Sequence, residues 1–461
     1  MKLKYQRSYL LIPLYFIYTL NSCKKFIEVD KPTDRILSGT LFDDESTATA
    51  AVLGLYGRLQ NTTAPFSNGA TAIYCGLASD ELVYTSTDIS TNQFYENNIA
   101  VDNGIVLTNF WRNAYEIIYQ SNACIDGLNT TDKLQDTIRL QLLAESYFIR
   151  AFSYWYLVNL FGDVPLVLTT NYQENSKIPR LSQNLVKENI LKDLMTAKSL
   201  LKATYPSVGK VRVNYYTVLS LLNRFYLYEK NWVEVDKIAS EIIQSGIYKC
   251  EADIDKVFLA GNTESIWELL SSSSLFNTVL GNRYIPSTTA SAKPNFILSG
   301  NLLALFEEHD LRKSKWIVVK RITQIDYFYP FKYKVRANAI KTENYIMFRL
   351  GEIYLNRAEA RAHLGNTQGA VEDINVLRGR AGLSGITVNT PDLNVTIQKE
   401  RYIELFSEWG DRWFDLKRTG KVDEILSKVK SKWQSTDDLF PIPSAEILTN
   451  INLTQNSGYN K

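Results

Sequence analysis

The sequence predicts an all-α protein of irregular helical hairpins that carry long loops and minor β-hairpins. Three observations give that class. Apolar residues recur at helical spacing in runs at 42–59, 111–128 and 138–160. In two places a helical run meets a short turn and a second run begins at once: 213–229 then 232–244, and 345–364 then 367–380. Between the runs, 61–109 and 271–333 lose the period and fill with Asn, Thr, Ser and Gly, broken by isolated aromatic residues.

The paired runs are the supersecondary unit of tetratricopeptide-like repeats, in which each hairpin stacks on a neighbour to bury its apolar face. The copies are degenerate and far apart, so no regular solenoid is expected. Within the first long run, Asp43 or Asp44 is placed to cap the helix. In 138–160, Phe148, Phe152, Trp155 and Tyr156 form an aromatic stripe read as core, and Gly162 with Pro165 stops the helix. In the second loop-rich stretch a short helix is expected over 301–308, and alternation at 316–319 and 327–333 suggests a small hairpin. The run 400–420, ERYIELFSEWGDRWFDLKRTG, reads as one helix with Ile403, Phe406 and Gly410 on one side and a rim of salt bridges.

Composition bounds the function. At 461 residues there is ample core material, and the 51 basic and 49 acidic residues give no basic footprint for nucleic acid. Aromatic residues are plentiful, with 28 Tyr, 20 Phe and 8 Trp. Lys2, Lys4 and Arg7 precede an apolar run at 9–20, too short to span a bilayer and of the length of a secretory leader. It ends in Leu20-Asn21-Ser22-Cys23, which looks like a bacterial lipobox. The expected organisation is a signal peptide over 1–22, lipidation at Cys23, a tether over 23–38 and one domain over 39–461. Removing 1–22 leaves a near-neutral chain. Cys75, Cys124 and Cys250 are widely spaced and odd in number, which is neither a disulfide framework nor a zinc pattern; free thiols are expected, with one bridge left open.

The run at 400–420 closely resembles the C-terminal signature of the SusD/RagB family, an E-L-x-F-E-G-x-R-W-F-D-L-K-R-like segment, with Trp409 added between Glu408 and Gly410. RAFSYWYLVNLFGDVPLV at 150–167 is similar to a second family segment. LFPIPSAEILTNINLTQNSGY at 439–459 is similar to the family's closing segment, with Ser457 where proline is usual. The resemblance implies a SusD-like fold and a surface lipoprotein that captures a nutrient, an oligosaccharide or in some members a peptide. Its implied partner is a SusC-like TonB-dependent outer-membrane transporter.

A sugar's C–H face stacks on an aromatic ring while Asn, Asp, Arg and Ser satisfy its hydroxyls. The resemblance places binding surfaces in the two loop-rich stretches, so the candidate ligand residues are Tyr84, Phe94, Tyr95, Tyr284, Tyr327 and Tyr329, with Asp80 or Arg283 as polar partners. Two other readings compete. A peptide-holding helical scaffold would need no small ligand. A glycoside hydrolase would need two carboxylates at a defined separation, for which the sequence offers only the adjacent pairs Asp80-Glu81 and Glu307-Glu308. His309 and His363 are the only histidines, no EF-hand-like loop occurs, and no cofactor, metal or catalytic residue is assigned.

Overall fold

The computed structural model describes residues 40–61 and 63–459. The expected leader, Cys23 and the tether lie outside the described residues. Helix α1 (Glu45–Leu59) begins where Asp44 accepts the amide protons of Ser46 and Thr47 at 2.9 and 3.1 Å, satisfying donors that the first turn leaves free. The first loop-rich stretch contains a π-helical segment (Phe66–Cys75), strand β1 (Leu82–Tyr84) and α2 (Ile89–Tyr95). A second π-helical turn, Val106–Arg112, leads into α3 (Asn113–Thr130), and α4 (Asp136–Phe161) ends at Gly162. Then come α5 (Tyr172–Asn175), α6 (Gln183–Leu200), α7 (Tyr215–Tyr228) and α8 (Trp232–Gln244).

The second loop-rich stretch is flanked by two strands that pair with each other, β2 (Ser265–Leu269) before it and Tyr345–Arg349 after it. It holds α9 (Val279–Tyr284), β3 (Phe296–Leu298), α10 (Leu311–Trp316) and the hairpin β4 (Ile317–Ile322) and β5 (Ile325–Pro330). Strand β6 (Tyr345–Arg349) runs directly into α11 (Leu350–His363), followed by α12 (Thr367–Arg380), α13 (Leu393–Leu405), α14 (Asp411–Arg418), α15 (Val422–Val429) and α16 (Ser444–Thr449). The protein is all-α, with four small antiparallel strand pairs among the described residues.

The hairpins stack as repeats do. Leu227 of α7 and Val235 of α8 pack with Ala360 of α11, and α11, α12 and α13 share a core of Leu355, Ala358, Ile374, Leu377, Ile397 and Leu405. Buried Asn356 donates to Asn223 at 2.8 Å, joining the two hairpins through polar groups as well. The aromatic stripe of α4 lies inside, Phe148 and Phe152 meeting Trp267 edge-on at 5.3 and 5.4 Å.

Four expectations are corrected. Residues 345–349 are strand, not the start of a helix: all five are buried, and they pair with β2, so α11 begins only at Leu350. The run 400–420 is two helices, because Ser407, Trp409 and Gly410 take left-handed φ values of 57, 53 and 66° between α13 and α14. Ile403, Phe406 and Gly410 therefore share no helix face. That turn drives Trp409 inward, where its indole donates to the Ile346 carbonyl at 2.8 Å and its ring meets Tyr345 and Tyr156 at 5.2 and 5.4 Å. The helix expected over 301–308 shrinks to one turn, Gly300–Leu303.

The charges of the 400–420 run, finally, belong to the interior rather than to a rim. Arg349 donates to Glu408 at 2.7 and 2.8 Å, to Glu264 at 2.8 Å and to Glu404 at 2.6 Å, and Arg312 joins Asp310, Glu400 and Glu404. Burial alone would raise the Glu404 carboxyl, but Arg380, Arg349, Arg312 and Lys332 around it hold it well below the usual carboxylate range. Among the described residues Cys75, Cys124 and Cys250 are free thiols, the first two in the core and the third half-buried.

Candidate functional site

The two loop-rich stretches meet edge to edge. β1 pairs antiparallel with β3, Leu82 opposite Leu298 and Tyr84 opposite Phe296. The ladder continues at both ends, Thr85 donating to the Asn295 carbonyl at 3.0 Å and Ser299 to the Glu81 carbonyl at 2.9 Å. β3 also packs beside β5, so residues over 200 positions apart build one loop face.

The foundation of this face is aromatic. The Phe296 ring lies 5.6 Å from Tyr84 and 5.9 Å from Tyr284. Tyr284 is buried beneath it, whereas Tyr84 is half-buried, its hydroxyl accepting the Asp88 amide at 3.3 Å. The Asp88 carboxylate caps α2 by accepting from the Thr91 amide at 2.8 Å. Tyr74, in the last turn of the π-helical segment, packs on Phe94 at 4.9 Å. Burial pushes its phenol up, and the Arg283 guanidinium and a Thr91 hydrogen bond oppose that shift. Tyr84 and Asp88 are thus joined by a hydrogen bond at the surface, with Arg283 and the half-buried Tyr74 near enough to interact electrostatically.

Gly69 lets the π-helical segment pass close to α9, the helix that carries Arg283. It stands at φ 103° where the π-helical segment crosses α9, and a Cβ there would lie 2.9 Å from Val279 Cγ1. Arg283, in the last turn of α9, is exposed and has no ion-pair partner among the described residues. On the neighbouring hairpin Tyr327 is half-buried, with Lys293 Nζ 5.9 Å from its ring centre. Lys320 fastens the loop between, donating to the Ser287 and Thr289 carbonyls at 3.1 and 2.8 Å.

The remaining candidates are placed differently. Phe94 has no exposed surface and meets Phe110 and Phe440 in the core, so no ligand can touch it. Tyr284 and Tyr329 are 3% and 7% exposed and act as footing for the loops. Tyr95 is half-buried, and Lys430 sits 4.3 Å over its ring, which leaves one face at most for a ligand. Asp80 is buried and both its oxygens accept from Arg412, at 2.6 and 2.7 Å. Glu307 is likewise committed to Arg378, through two bonds of 2.9 Å. Tyr74 and Asp88 were not singled out as site residues by the sequence. Tyr74 gave only an aromatic residue in an aperiodic stretch, and the strand pairing that builds the face joins residues more than 200 positions apart.

Among the described residues no group of three His, Cys, Asp or Glu side chains is placed to hold a metal ion. No described helix is long and apolar enough to cross a membrane.

The sequence matches a model of the SusD family over residues 312–459, and a second model, described as starch-binding and associating with the outer membrane, over residues 25–227. The chain belongs to the SusD/RagB family. Two SusD-like proteins of Formosa agariphila, P25 and P2, are each 25% identical to it over 98% of this chain, and 99% and 100% of their own lengths are covered. A SusD superfamily protein from Bacteroides vulgatus superposes with a TM-score of 0.81 at 21% identity, covering 91% of this chain and all of that one. A laminarin-binding SusD-like protein and the surface glycan-binding protein A of Bacteroides fluxus each give 0.76 at 22% identity, with 90% of this chain and 100% of theirs covered. At such identities the structural likeness establishes the SusD fold, and what the loops bind is a separate question.

Proposed function

We propose that the protein is a lipid-anchored receptor on the outer membrane that captures an oligosaccharide and passes it to a SusC-like TonB-dependent transporter. The observation that carries this reading is the β1–β3 pairing, which mounts Tyr84 and Arg283 on one ordered face with Tyr327 on the adjoining hairpin. Tyr84 and Tyr327 offer rings for the C–H faces of a sugar, and Arg283 and Asp88 offer a donor and an acceptor for its hydroxyls. The description of the matched family, starch-binding and associating with the outer membrane, and the laminarin-binding structural neighbour point the same way. In this reading Tyr95 is a peripheral contact, and Asp80, Phe94, Tyr284 and Tyr329 hold the face in place. Cys23 carries the lipid; two or three acyl chains, at about 0.8 kcal/mol per buried CH2, suffice for stable anchoring.

Native gels containing starch, laminarin, xylan or galactomannan test the capture step. Retardation in at least one gel supports the reading, and uniform mobility in all of them argues instead for a peptide ligand. Mass spectrometry of the N-terminal peptide from native membranes tests the anchor: a diacylglyceryl adduct on Cys23 is expected. Co-purification of a TonB-dependent barrel with the native protein tests the partner.

A further inference from the structure

A second aromatic surface lies apart from the loop face and shares none of its residues. Trp111, Tyr115 and Tyr119 follow one another at four-residue intervals along the Val106–Arg112 turn and α3, a rise of about 6 Å per step. They line a groove with two adjoining lobes of about 340 and 690 Å³, whose other wall is α5 and α16. Trp111 and Tyr115 make its floor: their rings are 5.1 Å apart, Trp111 is set edge-on against Phe161 at 5.0 Å, and Tyr115 donates to the Pro165 carbonyl at 2.8 Å.

The upper rings are uncovered. Tyr119 is 52% and Tyr172 79% exposed, although both border the same groove. Tyr172 stands on a single capped helical turn, in which Asn171 accepts from the Gln173 amide and Asn175 donates back to the Thr169 carbonyl at 2.8 Å. Charge at the groove is internally balanced. Arg112 donates to Glu446 at 2.8 Å, and Arg58 pairs with Glu116 at 3.2 Å. A long cleft with stepped aromatic rings, paired charges and no surplus of either sign suits a flat, uncharged, polyhydroxylated chain better than an ionic ligand.

We infer that this groove is a second glycan-binding site, taking a neutral oligosaccharide laid along α3 with its sugar rings against Tyr119 and Tyr172. Its basis is independent of the loop face. The Arg112–Glu446 pair supplies donors and acceptors for hydroxyls, and Trp111 and Tyr115 shape the floor without being displaced. Two sites on one receptor would raise its avidity for a long polysaccharide beyond that for a short fragment.

The test uses the full chain in native gels of starch, laminarin, xylan and galactomannan, comparing wild type, Tyr119→Ala/Tyr172→Ala and Tyr84→Ala/Tyr327→Ala. Both groove tyrosines are exposed, so the first variant is expected to melt as wild type does. In at least one gel the groove variant should bind roughly tenfold more weakly. Hydroxyl-radical footprinting with that polysaccharide should protect Tyr119 and Tyr172 in the wild-type protein. Equal mobility of groove variant and wild type in every gel, or no protection at those two rings, overturns the inference. Weakening by the loop-face variant alone overturns it too, and leaves the proposed function standing. Weakening by the groove variant alone upholds it and removes the loop face as the capture site.

Discussion

Arg412 grips Asp80 with two parallel hydrogen bonds of 2.6 and 2.7 Å, while its guanidinium lies 4.0 Å over the Tyr402 ring. The pair joins the family's C-terminal signature to the residues just before β1, and Tyr402 and Ser299 both donate to the Asp80 carbonyl as well, at 3.1 and 2.6 Å. The signature therefore positions the loop face without belonging to it. Asp80→Ala would leave a largely buried guanidinium unpaired, at a cost of about 3 kcal/mol of stability in urea denaturation. Arg412→Lys keeps the charge but loses the fork, so a smaller loss is expected. An unchanged denaturation midpoint in Asp80→Ala would show that the pair does not hold the face.

Gly410 makes the same connection from the other side of the turn. It has φ 66°, and a Cβ there would lie 2.6 Å from Cys75 Cβ and 2.9 Å from the Thr71 carbonyl oxygen. Gly410→Ala combines a left-handed penalty of about 1–2 kcal/mol with that clash. A lower melting temperature is the expected outcome, whereas Gly420→Ala, also left-handed but with open space around it, should lose less.

Glu81 predicts a pH dependence. Burial pushes its carboxyl up from 4.5 to about 8, with Asp80 and Asp411 adding to the shift and the Ser407 amide and Lys332 opposing it. The fold thus favours the protonated form. Its contribution is complete below about pH 4.5 and is lost as pH rises through about 8, on the order of a few kcal/mol. Glu81→Gln, which still accepts from Ser407, should remove this part of the pH profile and be more stable than wild type at pH 8.5. Parallel denaturation profiles from pH 4.5 to 8.5 would contradict it.

Arg283 separates binding from folding. Exposed and without an ion-pair partner among the described residues, it should change stability by no more than about 0.5 kcal/mol when replaced by Ala. Glycan affinity should fall roughly tenfold, read by isothermal titration. Unchanged affinity would take Arg283 out of the site.

The fold was largely legible in the sequence because helical hairpins are local. The periods of 213–229 and 367–380 reappear as α7 and α12 within a residue or two. What failed was set by contacts far along the chain. Tyr345–Arg349 is strand because β2 is there to pair with it, and Trp409 leaves the helix because the interior around Tyr156 receives its ring. The site was legible only as a region. An aromatic residue in an aperiodic stretch reads the same whether it becomes Phe94, packed in the core, or Tyr84, half-open above Phe296. Asp80 looked like a ligand partner because its mate, Arg412, lies 332 residues away.

The most direct test of the capture reading is calorimetric titration of the polysaccharide that retards the protein, comparing wild type with Tyr84→Ala/Tyr327→Ala. Removing two stacking rings should weaken binding at the loop face by tenfold or more while the melting temperature holds. An affinity equal to wild type, in a variant that remains folded, would contradict the assignment of that face as the site of capture.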